Sequence, residues 1–360
     1  MKMFCPHEHR KQVIGIASPL FHSSIGSLDA FLSSLEQPSS NPSGLCISVT
    51  IDRNIIIYTQ DICCKAPASF NEGHRRTSAL LLLLREHLDN KDLVVDIDRA
   101  LEEGRITGSP RTAPMPDKNQ MLTQLSTEIA PFYHCLCDID SNILLNIALD
   151  TLIPTTGILG IGQLSPLGIK LLNDTVDYNF RDLHGNTVFN KNWFALYAIE
   201  LQILKLRMNR AMPPEDRLDE FFRWLYCVRF QVMSVLPSIA IFAIDSLANS
   251  CEPTNAIISA RNSAWDRYIM GQHLWYLFTR SNTSCFVSND SRRMKVLSWF
   301  LDTRHHPEPE KEWITRKYKS KKAQTVWNKW CELTLKPPDL TPDSIDLQDA
   351  VRLMEKDLST

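Results

Sequence analysis

The chain contains no apolar run long enough to cross a membrane. Its longest runs cover 79–84 and 236–247, and the second is broken by Asp245. Both fall short of the roughly 20 residues that a spanning helix needs. Cysteine is sparse, at 10 of 360 residues. Half of it (Cys46, Cys135, Cys137, Cys227, Cys285) lies in apolar runs, where a free thiol behaves as a small hydrophobe. Residues 1–18 lack the apolar core of a secretory leader. A disulfide framework is therefore not expected, and a reducing cytoplasm is. No internal repeat is present. No overall charge stands out either: the net value is −2, with 44% hydrophobic and 22% charged residues, as in ordinary globular proteins.

Locally the charge is uneven. Residues 311–336 hold eight Lys or Arg and two Glu, which gives +6 and leaves −8 for the remainder. Trp313, Tyr318, Trp327 and Trp330 are interleaved with this charge. Such a segment either meets phosphates and stacks bases, or packs its tryptophans inward with solvated lysines outside. Its candidate contacts are Arg316, Lys317, Lys319, Lys321 and Lys322.

Residues 45–59 alternate β-branched residues around Asp-Arg-Asn, which predicts a β-hairpin. A helix over 77–87 and a short element over 93–103 complete an α+β accessory region, 1–105. Residues 106–118 carry three prolines and read as a linker, with a helix following over 120–130. Residues 133–140 read as a buried strand ending in acid, followed by a helix over 142–152. The stretch 155–192 reads as irregular. Helices are expected over 193–208, 218–236, 240–248 and 256–279. A strand over 284–288 then leads into a helix ending near 301. Helices alternating with short buried strands fit an α/β domain with a largely parallel sheet.

Ligands in such sheets bind outside the carboxyl ends of the strands. Asp138 and Asp140 close the expected strand 133–140, and Asp290 closes 284–288. Glu200 and Asp266 sit within largely apolar helices, where an acid is costly unless compensated. Each has a structural alternative. Asp140 and Asp290 could cap the helices after them. Glu200 could pair with Lys205 or Arg207, and Asp266 with Arg261 or Arg267. A divalent cation would instead relieve the repulsion of carboxylates gathered at one sheet edge.

Three stretches carry a resemblance. Asp140-Ser141-Asn142-Ile143-Leu144-Leu145 resembles the opening motif of PIN-domain nucleases. Ala264-Trp265-Asp266 is similar to that family's third acidic motif, and Phe286-Val287-Ser288-Asn289-Asp290 to its closing strand end. Glu200 is the nearest match to the second acid. The resemblance covers about 133–303, within a domain spanning 131–305. It implies a three-layer α/β/α domain with a mostly parallel sheet, followed by a basic helical segment, 306–360. It further implies Mg²⁺ or Mn²⁺ held by Asp140, Glu200, Asp266 and Asp290, with Asp138 supplementary. Ser141, Asn142, Ser288 and Asn289 would orient the acids, and Arg292 and Arg293 would touch phosphate. The implied activity is endoribonuclease cleavage of RNA, with DNA as a further substrate, in a toxin or defence effector. Residues 1–105 would bind a regulator. The alternative is a catalytically inactive PIN-like scaffold that binds RNA or protein.

Overall fold

A computed structural model describes residues 5–23, 26–36, 47–88, 93–97, 100–101, 118–151, 159–185, 187–232, 243–252, 255–279, 284–291, 294, 297–298, 309–335 and 347–359. The described chain is mostly helical, with one small mixed sheet. It divides into two compact units, one of residues 1–185 with 273–301, the other of 186–272 with 302–360.

The first unit holds the sheet. Its strands are β1 (Phe21–Ser23), β2 (Ile47–Ile51), β3 (Leu93–Asp96) and β4 (Ser284–Val287), in the order β1-β4-β2-β3. β2 runs parallel to both β3 and β4, and β1 pairs antiparallel with β4. An N-terminal accessory unit ending at 105 is therefore not what forms: β1, β2 and β3 share their sheet with a strand more than 180 residues downstream. The helices here are α1 (His7–Ala17), α2 (Leu28–Glu36), α3 (Arg53–Cys64), α4 (Glu72–Arg85), α5 (Lys118–Tyr133), α6 (Ser141–Leu149) and α7 (Pro166–Gly185).

Three local expectations are corrected. The first is the hairpin over 45–59, which is a strand followed by a helix. Asp52 caps α3, its Oδ1 accepting from Arg53 N–H at 2.9 Å. Ile55, Ile56, Thr59, Ile62 and Cys63 are buried, a helical spacing, whereas Ile57 is 44% exposed. Burial of one helical face overrides the strand preference of the isoleucines.

The second is the strand over 133–140. Helix α5 instead runs into a π-helical turn, His134–Asp138. Phe132, Cys135, Leu136 and Ile139 are buried at helical spacing. The buried Arg85 guanidinium grips the turn, donating to the carbonyls of Cys135 (2.7 Å), Leu136 (2.9 Å) and Ile139 (2.8 Å). These bonds satisfy carbonyls that a regular helix would use internally.

The third is the irregular stretch 155–192, where α7 forms. Ser165 Oγ accepts from Gly168 N–H, and Asp138 Oδ2 accepts from Ser165 N–H at 3.1 Å. Side-chain caps offset the low helix preference of the glycine there.

Helix α4 is the unit's central rod. Residues 77–85 are buried on every side, as befits a helix enclosed by others. Asn71 caps it, its Oδ1 accepting from Gly73 N–H while its own N–H donates to His74 Nδ1.

The second unit is helical: α8 (Thr187–Met208), α9 (Pro214–Val232), most of α10 (Ala256–Thr279), α11 (Pro309–Tyr318), α12 (Lys321–Leu335) and α13 (Leu347–Ser359). Trp327 is buried against Phe222, and Trp330 stacks on the same ring at 4.6 Å. These two tryptophans serve packing.

Candidate acid centre at the sheet edge

The parallel register of β2 and β4 builds the site. Ile51 pairs with Val287, so the next residues, Asp52 and Ser288, leave the sheet side by side. Asp52 N–H donates to Val287 O at 2.9 Å, and Ser288 N–H to Leu20 O at 2.9 Å, extending both strands by one step. Asp52 and Ser288 are both buried, at 1% and 0% exposure.

Their side chains form a closed network. Ser288 Oγ–H donates to Asp52 Oδ2 at 2.5 Å. Asn54 Nδ2 donates to the same oxygen at 2.6 Å and reaches Ser288 Oγ at 3.1 Å. Asn54 Oδ1 accepts from Asn289 N–H at 3.0 Å, and Ser288 Oγ accepts from Asp290 N–H at 3.0 Å. Asp290 O accepts from Met294 N–H at 3.0 Å, starting the next helical turn. Each bond to a carboxylate is charge-assisted, so the geometry of Asp52-Arg53-Asn54 and Ser288-Asn289-Asp290 is fixed jointly. Asp96, the last residue of β3, brings a further carboxylate to this sheet edge. It lies opposite Thr50, two residues short of Asp52.

The first turn of α4 closes one side. A Cβ on Gly73 would overlap the Tyr58 ring and lie 2.6 Å from Asn289 Nδ2. Only glycine lets the helix approach this closely.

The expected acids are distributed differently. Asp290 is at the corner. Asp140 caps α6, Oδ1 accepting from Asn142 N–H at 2.8 Å, and Asp138 accepts at the start of α7. Ser141 Oγ accepts from Arg85 at 2.8 Å. Arg85 ends α4, whereas Gly73 near its start touches the corner. The twelve helical steps from one to the other put Asp140 about 18 Å along that helix from Asn289, at about 1.5 Å per residue. Asp138, Asp140, Ser141 and Asn142 are thus not brought to Asp290. Glu200 and Asp266 belong to the second unit, where Glu200 is buried and ion-paired with Arg267. Among the basic candidates, Lys317 pairs with Asp245 and Lys322 with Asp216, while Arg316, Lys319 and Lys321 are exposed. Arg292 and Arg293 lie outside the described residues.

Asp52 and Asn54 are the residues that sequence reasoning missed. Their signal was present: ISVTI followed by Asp-Arg-Asn has the same strand-acid-x-Asn form that drew attention to Asp140. The hairpin reading hid it, because it assigned Asp52 to a turn.

Hard oxygen donors at adjacent strand ends suit Mg²⁺ or Mn²⁺, which typically take one or two carboxylates and complete their shell with water and phosphate. Asp52 and Asp290 meet that minimum. Among the described residues, no three His, Cys, Asp or Glu side chains are grouped to hold a metal by themselves. No described helix is long and apolar enough to cross a membrane. No known protein family, curated protein or solved structure matches the chain.

Proposed function

We propose that the protein is a PIN-like, Mg²⁺- or Mn²⁺-dependent endoribonuclease whose acid centre is Asp52 with Asp290, in place of the set built on Asp140. The observation that carries this is the Asp52–Ser288 hydrogen bond between the ends of two adjacent parallel strands. It brings a strand-Asp-x-Asn stretch to a strand-Ser-Asn-Asp stretch, the pairing that the motif resemblance calls for. A three-layer arrangement around the sheet belongs to the same reading.

Asp52 and Asp290 would hold the ion, and Asp96 would contribute through water. The ion would acidify a bound water and stabilise charge on the phosphoryl oxygens. Ser288 and Asn54 orient the Asp52 carboxylate by donating to it. Asn54 also fixes the Asn289 backbone, which sets where Asp290 points. Partners of this kind orient metal ligands and are worth about 10–100-fold in affinity or activity. Exposed Arg316, Lys319 and Lys321 would attract the phosphate backbone. A toxin or defence role, with a regulator bound through residues 1–105, rests on family analogy alone.

A second reading is an inactive PIN-like scaffold. The three hydrogen bonds that Asp52 already accepts favour it, because they leave its carboxylate less free for an ion: Oδ1 accepts from Arg53 N–H, and Oδ2 from both Asn54 and Ser288.

The deciding experiment incubates the protein with labelled RNA and DNA oligomers in Mn²⁺, with EDTA and Asp290→Asn controls. The nuclease reading expects RNA cleavage that both controls abolish. Cleavage surviving both, or absent on every substrate, contradicts it.

A further inference from the structure

A second cluster in the first unit has no part in the acid centre. Cys63 sits in the last turn of α3, and Cys135 in the π-helical turn gripped by Arg85. Both are fully buried, and their sulfurs lie 3.5 Å apart, although 72 residues separate them in sequence. We propose that Cys63 and Cys135 form a reversible disulfide, a modification site for peroxide.

The geometry asks for little movement. A disulfide bond is about 2.05 Å long, so the sulfurs need to close by roughly 1.5 Å. Neither thiol is tied down strongly. Among the described residues, their further polar contacts are carbonyls at long range, Cys63 to Pro131 at 3.9 Å and Cys135 to Thr59 at 3.8 Å. Access is local: α3 ends at Cys64, which is exposed, and Lys65 after it is extended. Opening of that last turn, which breaks the Gly160 N–H to Cys63 O bond of 2.8 Å, would uncover Cys63 without global unfolding.

The two thiols are unequal. The hydrogen bond with Cys135 holds Cys63 below the ordinary thiol value, against the opposing effect of burial. The same bond and burial push Cys135 well up. Cys63 lies beside exposed Cys64 at the end of α3, so it is the thiol that peroxide reaches first and Cys135 is the resolving thiol. The Cys63 thiolate displaces hydroxide from hydrogen peroxide, giving a sulfenic acid. Cys135 then attacks that sulfur, the S–S bond forms, and the sulfenic oxygen leaves as water. In sum, two thiols and one peroxide give one disulfide and two waters. The bond would pin the end of α3 to the turn ahead of α6. This site stands whether or not the acid centre is a nuclease.

The test treats the reduced, folded full-length protein with hydrogen peroxide, blocks remaining thiols, digests it and analyses it by mass spectrometry without reductant. Two peptides should be linked with the loss of two hydrogens, and dithiothreitol should separate them. The link should persist in Cys64→Ser and Cys137→Ser, which assigns it to Cys63 and Cys135. It should vanish in Cys135→Ala. A link that is lost in Cys64→Ser or Cys137→Ser, or oxidation that stops at unlinked Cys64, overturns the proposal. Cys64→Ser and Cys137→Ser together decide the matter if Cys135→Ala does not fold.

Discussion

Ser288 donates its hydroxyl proton to Asp52 at 2.5 Å, across two strands 236 residues apart in sequence. The bond joins the ends of β2 and β4, and Ser288 Oγ also accepts from Asp290 N–H. Ser288→Ala removes a bond to a buried charge and orphans an amide. It should cost about 1.5–3 kcal/mol of unfolding free energy, the usual worth of a hydrogen bond to a charged group. Urea unfolding checks this, and a loss within about 0.5 kcal/mol, as for an ordinary surface change, would show that the network does not hold the strands.

Gly73→Ala places a methyl group into Tyr58 and Asn289. Overpacking of this kind costs about 1–3 kcal/mol. Thermal unfolding should show the loss, and adding Tyr58→Ala should recover part of it by making room. Equal loss in the double variant would place the clash on Asn289 alone.

Glu200 and Arg267 form a buried ion pair in the second unit. Removing one partner leaves an uncompensated charge, at a cost of about 3–5 kcal/mol. Glu200→Gln and Arg267→Met should each destabilise strongly, while Glu200→Leu with Arg267→Met should be much closer to the parent. Additive losses in the double variant would mean that the two residues do not act as a pair.

His273 is buried against His22, with 3.0 Å between Nε2 and Nδ1. Burial, reinforced by His22, pushes its pKa well below the ordinary 6.5. Burial also lowers His74, His87 and His134. Above 6.5 the folded and unfolded chains are both neutral at these sites, and stability is full. As pH falls below 6.5, the unfolded chain binds protons that the folded one refuses, and stability drops. Each fully refused proton contributes a slope of about 1.4 kcal/mol per pH unit. His273→Gln should reduce the slope between pH 6.5 and 5, measured by urea unfolding. An unchanged slope would mean that His273 does not titrate differently on folding.

Long apolar helices and the closing strand could be read from the sequence. The expected helix over 256–279 coincides with α10, and the expected strand over 284–288 with β4. What failed was local preference outweighed by tertiary contact. Ile55-Ile56-Ile57 favours a strand by composition, but burial of Ile55 and Ile56 beside exposed Ile57 makes it a helix. Residues 133–140 look like a strand because nothing in them announces Arg85, half a hundred residues upstream, which supplies the donors for a π-helical turn. Both misreadings bear on the site. On the proposed reading they moved the first acid from Asp52 to Asp140, and the pairing of β2 with β4 is what distinguishes the two similar stretches.

Mn²⁺ binding is the most direct measurement of the central claim, followed by titration calorimetry or electron paramagnetic resonance on the parent, Asp290→Asn and Asp140→Asn proteins. Loss of a ligand should cost more than the about 10–100-fold expected for an outer partner. The account predicts that Asp290→Asn weakens Mn²⁺ by at least about 100-fold, while Asp140→Asn binds as the parent does. Weakened binding in Asp140→Asn with parental binding in Asp290→Asn would contradict it.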